Sequence, residues 1–518
     1  MNTDVVIVGG GPSGLLMAGE LALTGARPVV LELLPERAAE PKANGLVGRV
    51  VQALDYRGLH DRLSQGVGPP AAAPHFPFGA LMLDMSGWDG NALYTLPVPQ
   101  HRLEELLEQR ARELGAEIRR GHEVTAVSQD ADGVTADVLG PGGPYRLSAP
   151  FLVGADGGHS TIRRLCGIGF PGTTDSAFVS RSGQVTIRPP VAVAGTGELD
   201  IADGVGRLQP GSFTRTENGV FAYGMFQPDV YRVAVYEWGQ PPAGDSTSTP
   251  IGELREAAGR VLGGDVPMSA APQGLPVART RTGANSRLAD RYRQGRVFLV
   301  GDAAHVQSGV GGPALNLGLQ DVMNLAWKLA AAVRGWAPEG LLDTYHSERH
   351  PAGQRVIMQS RAQLALLSPG PNVTALRELF AELLHDQGNV RHISDLMAGA
   401  DICYDMRSGD RAHPMAGRWA PDLSLDRNGR PTRVAELMHP ARPVLLDLAG
   451  RADLADEACG WADRVDVVTA ASAAPPADAL LIRPDGYVAW AAGPGAPDGP
   501  AGLRGALRTW FGSASVRV

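Results

Sequence analysis

The first 32 residues contain the pattern that most constrains the fold of this chain. A short β-branched run, 5–8, is typical of a strand buried on both faces, and an apolar helix and a second strand follow it. Between strand and helix, Gly9, Gly11 and Gly14 have the spacing G-x-G-x-x-G. The first glycine permits a tight turn, the second lets the backbone approach a pyrophosphate, and the third lets helix and strand pack closely. Glu32, which ends the second strand, suits a ribose hydroxyl. The pattern predicts a dinucleotide site and leaves NAD and FAD both open.

A second segment, 296–328, indicates another contact with the same nucleotide. An apolar strand, 297–300, runs into Gly301 and Asp302, and a glycine-bearing loop then leads to a long amphipathic helix. This order places a carboxylate at the end of a strand and backbone N–H groups at the start of a helix. Those groups suit a ribose hydroxyl and a phosphate or polar ring edge. Together the two segments predict one large nucleotide cofactor.

A third segment, FLVGADGGHSTIRRL at 151–165, repeats the order of strand, turn and helix. Asp156 and Gly157 stand in its glycine-rich turn, from which the carboxylate can reach a cofactor. The helix carries Arg163 and Arg164, and paired arginines suit a pyrophosphate or an acid. The alternative is a capped helix with a solvated basic turn, and we favour the functional interpretation because it joins the other two segments.

Composition excludes several classes of protein. The 518 residues have a net charge of −8 and no basic patch interleaved with aromatic residues, so nucleic acid and anionic membranes are poor partners. The three cysteines are widely spaced without any C-x-x-C, which fits a reducing cytoplasm and argues against a disulfide scaffold or a zinc site. No apolar run approaches the ~18 residues that a membrane helix needs. We therefore expect a cytoplasmic α/β protein with no metal.

The pattern of elements divides the chain into four parts. Residues 1–175 begin as the strand–helix–strand unit and continue into an antiparallel meander. Residues 176–285 are strand-rich and include a polar insertion, 241–250, that is typical of a mobile loop. Residues 286–395 return to the nucleotide region and continue into helices. Residues 400–518 alternate short strands with a helix-like stretch, which predicts a small α/β unit.

The three segments, in this order and spacing, resemble those of the FAD-dependent aromatic hydroxylases, the class A flavoprotein monooxygenases with the para-hydroxybenzoate hydroxylase fold. The likeness covers nearly the whole chain and is greatest to the branch that tailors polycyclic aromatic polyketides in antibiotic biosynthesis. It implies a Rossmann-like FAD-binding domain in two parts, a β-rich substrate domain between them, and a C-terminal thioredoxin-like domain without redox cysteines. For that last domain, a packing or dimerisation role is the favoured interpretation.

The resemblance also implies which residues bind FAD. Gly9 to Gly14 with Glu32 resemble the adenosine site, the turn at Asp156 resembles a motif that serves both FAD and the pyridine nucleotide, and Asp302 matches the residue at the ribityl or ribose region. The implied cofactor-binding residues are Gly9, Gly11, Pro12, Ser13, Gly14, Glu32, Lys42, Gln100, Asp156, Gly157, Arg163, Gly301, Asp302, Gly311, Gly312, Leu315 and Asn316.

The chemistry implied by the family belongs largely to the cofactor. NADPH as co-substrate reduces FAD, O2 adds at the flavin C4a position, and a protonated C4a-hydroperoxide transfers OH to an electron-rich ring carbon. The protein excludes water, holds the acceptor atom and sets the protonation of the peroxide. No metal or protein nucleophile is implied, so no catalytic residue is assigned. The expected partners are O2 and a polycyclic aromatic small molecule, with neither nucleic acid nor membrane, and a homodimer is allowed.

One loop departs from the family pattern. Relatives commonly carry prolines two to four residues past His305 and a Gly-Gly-Gln-Gly beside the flavin. In this chain, the loop that we expect near flavin C4a consists of Val306, Gln307, Ser308, Gly309 and Val310, and Gly-Gly-Pro-Ala follows it. The favoured hypothesis is a substrate-side variation with unchanged hydroxylation. The alternative is altered handling of the hydroperoxide, which favours Baeyer–Villiger oxygenation or oxidative inactivation of a related polycycle.

The sequence also offers weaker candidates for the function and for the site residues. A halogenase or a non-catalytic flavin-binding partner is a remoter alternative, and the halogenase string W-x-W-x-I-P does not occur. His305 could be a catalytic base, although a structural hydrogen-bonding role is favoured. Arg215 and Arg279 could contact substrate oxygens, and Arg49 could lie on the route of the nicotinamide. Aromatic residues that could line a flat pocket, most of them expected in the sheet core, are Trp88, Phe213, Phe221, Tyr223, Phe226, Tyr236 and Trp238.

Overall fold

The computed structural model describes most of the chain. The described residues are 3–37, 43–66, 68–193, 195–201, 203–227, 229–240, 244–271, 278–310, 312–406, 413–493 and 499–515. Two residues predicted to bind the cofactor, Lys42 and Gly311, lie outside them, as does the side chain of Phe226.

A six-stranded sheet carries the three motif segments. Its order is Arg293–Gln294, Val297–Leu299, Phe151–Gly154, Val5–Val8, Pro28–Glu32 and Glu117–Arg120, parallel except for the first, short edge strand. Helix Pro12–Leu23 packs beside it against two other helices, Gln100–Glu113 and Pro313–Val333. Because the three motif strands are adjacent and parallel, the turns that follow them meet at one edge of the sheet. This is why segments almost 300 residues apart in the sequence form one site.

The predicted meander is present as a separate antiparallel sheet. Its strands are Glu123–Gln129, Val134–Gly140 and Gly143–Ala149, with turns at the two positions that the glycines and aspartates indicate.

The strand-rich middle of the chain forms an eight-stranded sheet. Its main path is Phe213–Thr216, Gly219–Gln227, Val230–Trp238, Gly172–Ile187, Ala278–Leu288 and Ser246–Thr249. Off this path, Met268–Ala270 pairs with the end of Gly172–Ile187, and His305–Val306 pairs with the end of Ala278–Leu288. Helix Ile251–Leu262 packs on one face, where a core cluster lies, and the other face looks toward the six-stranded sheet. The prediction of a mobile loop at 241–250 is wrong for 246–249, which pair as an edge strand with Ala278–Leu288; residues 241–243 lie outside the described part.

Helices and hairpins fill the space between the two sheets and around them. The remaining helices of this region are Arg49–Asp55, His60–Ser64, Thr161–Leu165, Thr344–Leu367, Pro371–Leu383 and Gln387–Ala398. The two-stranded pairs are Gly45–Val47 with Thr95–Pro97, His75–Phe78 with Leu81–Asp84, and Leu199–Ile201 with Gly206–Leu208. Within the described ranges, no helix is both long enough and apolar enough to span a bilayer.

The C-terminal part folds around a four-stranded sheet. The order is Asp466–Thr469, Val444–Asp447, Ala479–Ile482 and Val488–Ala492, with the first pair parallel and the others antiparallel. A hairpin, Ser424–Arg427 with Arg430–Arg433, precedes it, together with helices Val434–Leu437, Ala452–Ala458 and Gly499–Phe511. The thioredoxin-like assignment stays a prediction that this strand order supports.

A buried ionic network joins the C-terminal part to the long helices. Glu348 accepts from Lys328 Nζ at 2.7 Å and from Arg483 Nη1 at 2.7 Å, and Arg483 Nε donates to Asp485 at 3.0 Å. All four side chains are at most 6% exposed. Burial lowers the pKa of Lys328 to about 8. Burial alone would raise the pKa of Glu348, but the charges of Arg483 and Lys328 outweigh it and hold that pKa below its usual range.

We predict that Arg483→Met destabilises the protein strongly. The change leaves Glu348 and Asp485 buried with one cation fewer, and breaking a buried ion pair in this way costs about 3–5 kcal/mol. Urea unfolding of the two proteins measures the difference. Arg504→Met, which removes a half-exposed partner of Glu457, is the matched control and should leave the unfolding midpoint unchanged. Equal midpoints for wild type and Arg483→Met would contradict the prediction.

Candidate cofactor and substrate site

A single cavity runs from the glycine turn to the eight-stranded sheet. Its volume is about 1150 Å³, which exceeds the roughly 300–1,000 Å³ of ordinary ligand pockets. All three motif segments and the open face of the eight-stranded sheet line it. The space therefore suits an extended cofactor with a second molecule beside it.

The glycine motif forms the cradle that its spacing predicts. A Cβ on Gly9 (φ +109°) would lie 2.3 Å from the carbonyl oxygen of Ala155, and a Cβ on Gly14 would lie 1.9 Å from the carbonyl oxygen of Gly9. A Cβ on Gly11 would meet no protein atom within 4 Å, and Gly11 borders the cavity. Helix Pro12–Leu23 begins without a side-chain cap, so its first N–H groups suit a pyrophosphate.

Glu32 is held at the cavity edge by the backbone. The N–H of Gly10 donates to Oε2 at 2.5 Å, and the N–H of Leu34 donates to Oε1 at 2.8 Å. Each carboxylate oxygen keeps a lone pair, so Glu32 can still accept from a ribose hydroxyl as the sequence predicts.

The turn at Gly301 lies directly against the first helix. Gly301 has φ +60°, and a Cβ there would lie 2.7 Å from Oγ of Ser13. Gly318, in the long helix, faces the same point, because a Cβ on it would lie 2.9 Å from Cα of Gly301. Asp302 beside them is exposed toward the cavity. The sequence analysis missed Gly318, although its place one helical turn past Ala314 could have indicated close packing.

The Asp156 carboxylate helps to cap a helix, and Asp156 also lies on the cavity wall. It accepts from Oγ of Ser160 at 2.5 Å and from the N–H of Ile162 at 3.0 Å, and Oγ of Ser160 accepts from the N–H of Arg163 at 3.0 Å. These bonds cap helix Thr161–Leu165. Gly157, with φ +79°, also borders the cavity.

Two predicted cofactor-binding residues, Arg163 and Asn316, have side chains that are engaged within the protein. Arg163 does not border the cavity: its guanidinium donates to the carbonyls of Ala303 and Gly158, each at 2.9 Å, and stacks on Phe170. It ties two cofactor turns together, and its neighbour Arg164 is the arginine on the cavity wall.

The amide of Asn316 likewise points into the protein. It accepts from the N–H of Val47 at 3.0 Å and donates to the carbonyl of Gly312 at 3.0 Å, so it positions the loop before the long helix. Gly312, Leu315 and Gln100 do border the cavity, together with Pro12 and Ser13.

The unusual loop is only partly at the cavity. Ser308, Gly309 and Val310 border it, whereas Val306 and Gln307 do not. His305, at the base of the loop, is fully buried and Nε2 donates to Asp321 at 2.7 Å. These contacts support the structural interpretation of His305 over a role as catalytic base.

Fewer aromatic residues of the sheet line the cavity than the sequence analysis allowed. Phe213 and Tyr236 border the cavity, as does Phe178, which the sequence analysis missed. Tyr223 also reaches the cavity wall, although its side chain belongs to the core cluster on the other face of the sheet. Phe221 and Tyr223 lie in the core on the helix-covered side, where the Tyr223 hydroxyl donates to the carbonyl of Leu208 at 2.8 Å. The other two candidates, Trp88 and Trp238, pack in separate apolar clusters.

Of the three candidate arginines, one borders the cavity and two do not. Arg279 borders the cavity. Arg215 donates to the carbonyl of Ser368 at 2.9 Å, and Arg49 donates to Gln52 at 2.5 Å, so both are engaged away from the cavity wall.

An apolar cavity adjoins the main one. Its volume is about 540 Å³, and Gly309, Val310, Gly312 and Phe213 border both spaces. The rest of its wall is largely apolar and includes Leu46, Phe76, Leu96 and Leu367.

The fold and the site define a flavoprotein aromatic-ring hydroxylase. The family profile described as "FAD binding domain" matches residues 2–360, and the profile "Aromatic-ring hydroxylase, C-terminal" matches residues 413–514. The chain belongs to this family and is an FAD-dependent monooxygenase.

Its relatives match from end to end. The chain is 44% identical over 525 residues to the 12-dehydrotetracycline 5-monooxygenase/anhydrotetracycline 6-monooxygenase of Streptomyces rimosus, with 100% of each chain covered. It is 39% identical over 514 residues to the rifampicin monooxygenase of Streptomyces venezuelae, with 99% of each covered. The solved anhydrotetracycline hydroxylase from Streptomyces rimosus is similar with a TM-score of 0.86 and 42% identity, over 99% of this chain and 100% of that one.

We predict different failures for two glycine substitutions in the motif. Gly11→Ala should fold but lower FAD affinity about tenfold or more, because its methyl group meets only the cofactor space. Gly14→Ala should destabilise the apoprotein by about 3 kcal/mol or more, because its methyl group overlaps the backbone of Gly9. FAD titration and urea unfolding of the apoprotein separate the two effects.

Gly19→Ala is the control in the same helix, since no atom outside the backbone of its own helix lies within 4 Å of its added Cβ. It should keep FAD affinity and match or exceed wild-type stability. Normal FAD affinity in Gly11→Ala would contradict the proposed cradle.

Proposed function

We propose that this enzyme hydroxylates a polycyclic aromatic polyketide in antibiotic biosynthesis, with NADPH as the reductant and O2 as the oxidant. The observation that carries the proposal is the single cavity that joins the dinucleotide turn to the open face of the eight-stranded sheet. The name of one relative supports it, because that protein is named a monooxygenase of 12-dehydrotetracycline and anhydrotetracycline.

The residues of the chain bind and orient rather than react. FAD, when bound, supplies the transfer of electrons from NADPH to O2 and delivers one oxygen atom. The glycine turn, Glu32 and Asp302 would hold its nucleotide part. Phe178, Phe213 and Tyr236 would cover a flat substrate and exclude water from the reacting carbon. Gly309 and Val310 border both cavities, so the substrate ring would be positioned beside this loop.

A second candidate is Baeyer–Villiger oxygenation or oxidative inactivation of a related polycycle. Two observations favour keeping it: the loop from Val306 to Val310 lacks the prolines that relatives commonly carry, and another relative is named a rifampicin monooxygenase. Substrate contacts and loop geometry, rather than a catalytic side chain, would decide between the two outcomes.

The remaining parts of the proposal concern organisation. The eight-stranded sheet begins at Gly172 and its last long strand ends at Leu288, which supports a substrate domain close to residues 176–285 between two FAD-binding parts, 1–175 and 286–395. We include in the proposal the thioredoxin-like character of 400–518, a cytoplasmic location and a homodimer.

The test is substrate-stimulated NADPH oxidation followed by isotope analysis. With anhydrotetracycline as the probe, we expect NADPH consumption to rise about tenfold or more over the substrate-free rate, because binding completes the closed site. Under 18O2, mass spectrometry should locate one labelled oxygen in a ring hydroxyl. Label in a lactone bridge would replace the first candidate with the second. Protein that binds FAD, but whose NADPH oxidation does not rise with anhydrotetracycline or related polycycles, would overturn both candidate functions.

A further inference from the structure

We propose that Arg232 and Arg279 form an anion-recognition pair that holds an ionised oxygen edge of the substrate while its ring body occupies the adjoining apolar cavity. The inference rests on the proposed function and specifies it: the substrate is an acidic polycycle, with an enolate, phenolate or carboxylate at one end.

Strand register places the two arginines around one patch of the cavity wall. On the central strand Gly172–Ile187, Ser182 pairs with Arg279 on one side and with Ala234 on the other. Gln184, two residues on and therefore on the same face, pairs with Arg232. Nε of Arg279 lies 3.4 Å from Oγ of Ser182. The patch therefore presents two guanidinium groups and a hydroxyl to the same region of the cavity.

The two cations are close enough to influence each other. Burial lowers the pKa of Arg232, and the positive charge of Arg279 lowers it further. Nη1 of Arg232 also donates to Oδ1 of Asn44 at 2.9 Å, which fixes the direction of the guanidinium. An anion at this patch would be attracted by both charges and could accept charge-assisted hydrogen bonds in fork geometry.

Acidic groups on the described cavity wall come from one side. The carboxylates that border it, Glu32, Glu36, Glu104, Glu123, Asp156 and Asp302, all belong to the nucleotide side, where Arg37, Arg120 and Arg164 also line the wall. Among the described residues of the eight-stranded sheet, the charged groups at the wall are Arg232, Arg279 and Arg281. The nucleotide side therefore carries both signs, whereas the described sheet face contributes arginines, which suits an anion there.

The apolar cavity accounts for the other end of the ligand. It shares Asn44 with the main cavity, and Asn44 accepts from Arg232, so the arginine patch and the apolar wall adjoin. A polycycle anchored by its acidic edge would extend over Val310 toward Leu46 and Leu367. The carbon presented to the loop would then lie away from the acidic edge.

The test uses FAD-loaded enzyme and two tricyclic probes that differ in charge, anthraquinone-2-carboxylate and anthraquinone-2-carboxamide. Changes in flavin absorbance report the dissociation constant of each. Arg279→Gln and Arg232→Gln should each weaken the carboxylate by about tenfold to a hundredfold and leave the carboxamide within about twofold. Arg279→Lys should restore part of the loss, because it keeps the charge without the fork.

Arg255→Gln, in helix Ile251–Leu262, is the control, since Arg255 is half-exposed, does not border the cavity and pairs with its own carboxylate, Asp265. It should leave both dissociation constants within about twofold. Bound FAD and the melting temperature of every variant verify that it has folded. Equal weakening of both probes, or no weakening of the carboxylate, would overturn the inference.

The experiments distinguish a failure of the anion-site proposal from a failure of the proposed function. Unchanged carboxylate binding in Arg279→Gln, with wild-type enzyme still oxidising anhydrotetracycline, would remove the anion site and leave the function standing. If Arg279→Gln selectively loses carboxylate binding but the wild-type enzyme oxidises no polycycle, the anion site stands and the proposed function is removed.

Discussion

The buried carboxylate of Asp321 connects the segments on which the cofactor site depends. It accepts from His305 at 2.7 Å and from the N–H of Gly301 at 3.3 Å, and its other oxygen accepts from Arg349 at 2.8 Å. Arg349 in turn donates to the hydroxyl of Tyr404 at 3.1 Å. Burial alone would raise the pKa of Asp321, but the charge of Arg349 and the contact with His305 hold that pKa below its usual range. One ionised group thus fixes the long helix, the Gly301 turn and the base of the loop together.

With those segments fixed, the cofactor site is formed mainly by backbone. Three parallel strands end at one edge, and glycines at Gly9, Gly301 and Gly318 allow the turns and helices to approach within distances that a Cβ would prevent. Backbone contacts of this kind depend on glycine spacing, which is visible in the sequence. This explains why the three motifs identified the fold and the cofactor before any side-chain geometry was known.

Side-chain direction was harder to predict, and the errors share one cause. Arg163 and Arg164 are equivalent in the sequence, yet tertiary partners at Ala303 and Gly158 draw the first inward and leave the second on the cavity wall. Alternation along a strand showed that Phe221 and Tyr223 share a face, but not that a helix covers that face. Such choices depend on which element packs where, and period-2 patterns carry no information about it.

The loop and the substrate face are parts of one hydrogen-bonded unit. Strand Ala278–Leu288 carries Arg279 near one end, and at the other end Arg287 and Leu288 pair with Val306 and His305. His305 is fixed by Asp321, whereas beyond Ser308 the loop reaches Gly312 at φ +66° and enters the long helix. The base of the loop is therefore held by the sheet and by Asp321, and farther along the carbonyl of Ser308 accepts from Oγ of Ser360 at 3.3 Å. A substrate edge bound at Arg279 would therefore be held by the same strand that pairs with the base of this loop. Because the cofactor cradle lies in a different sheet, changes in the substrate face can redirect oxidation without disturbing FAD binding.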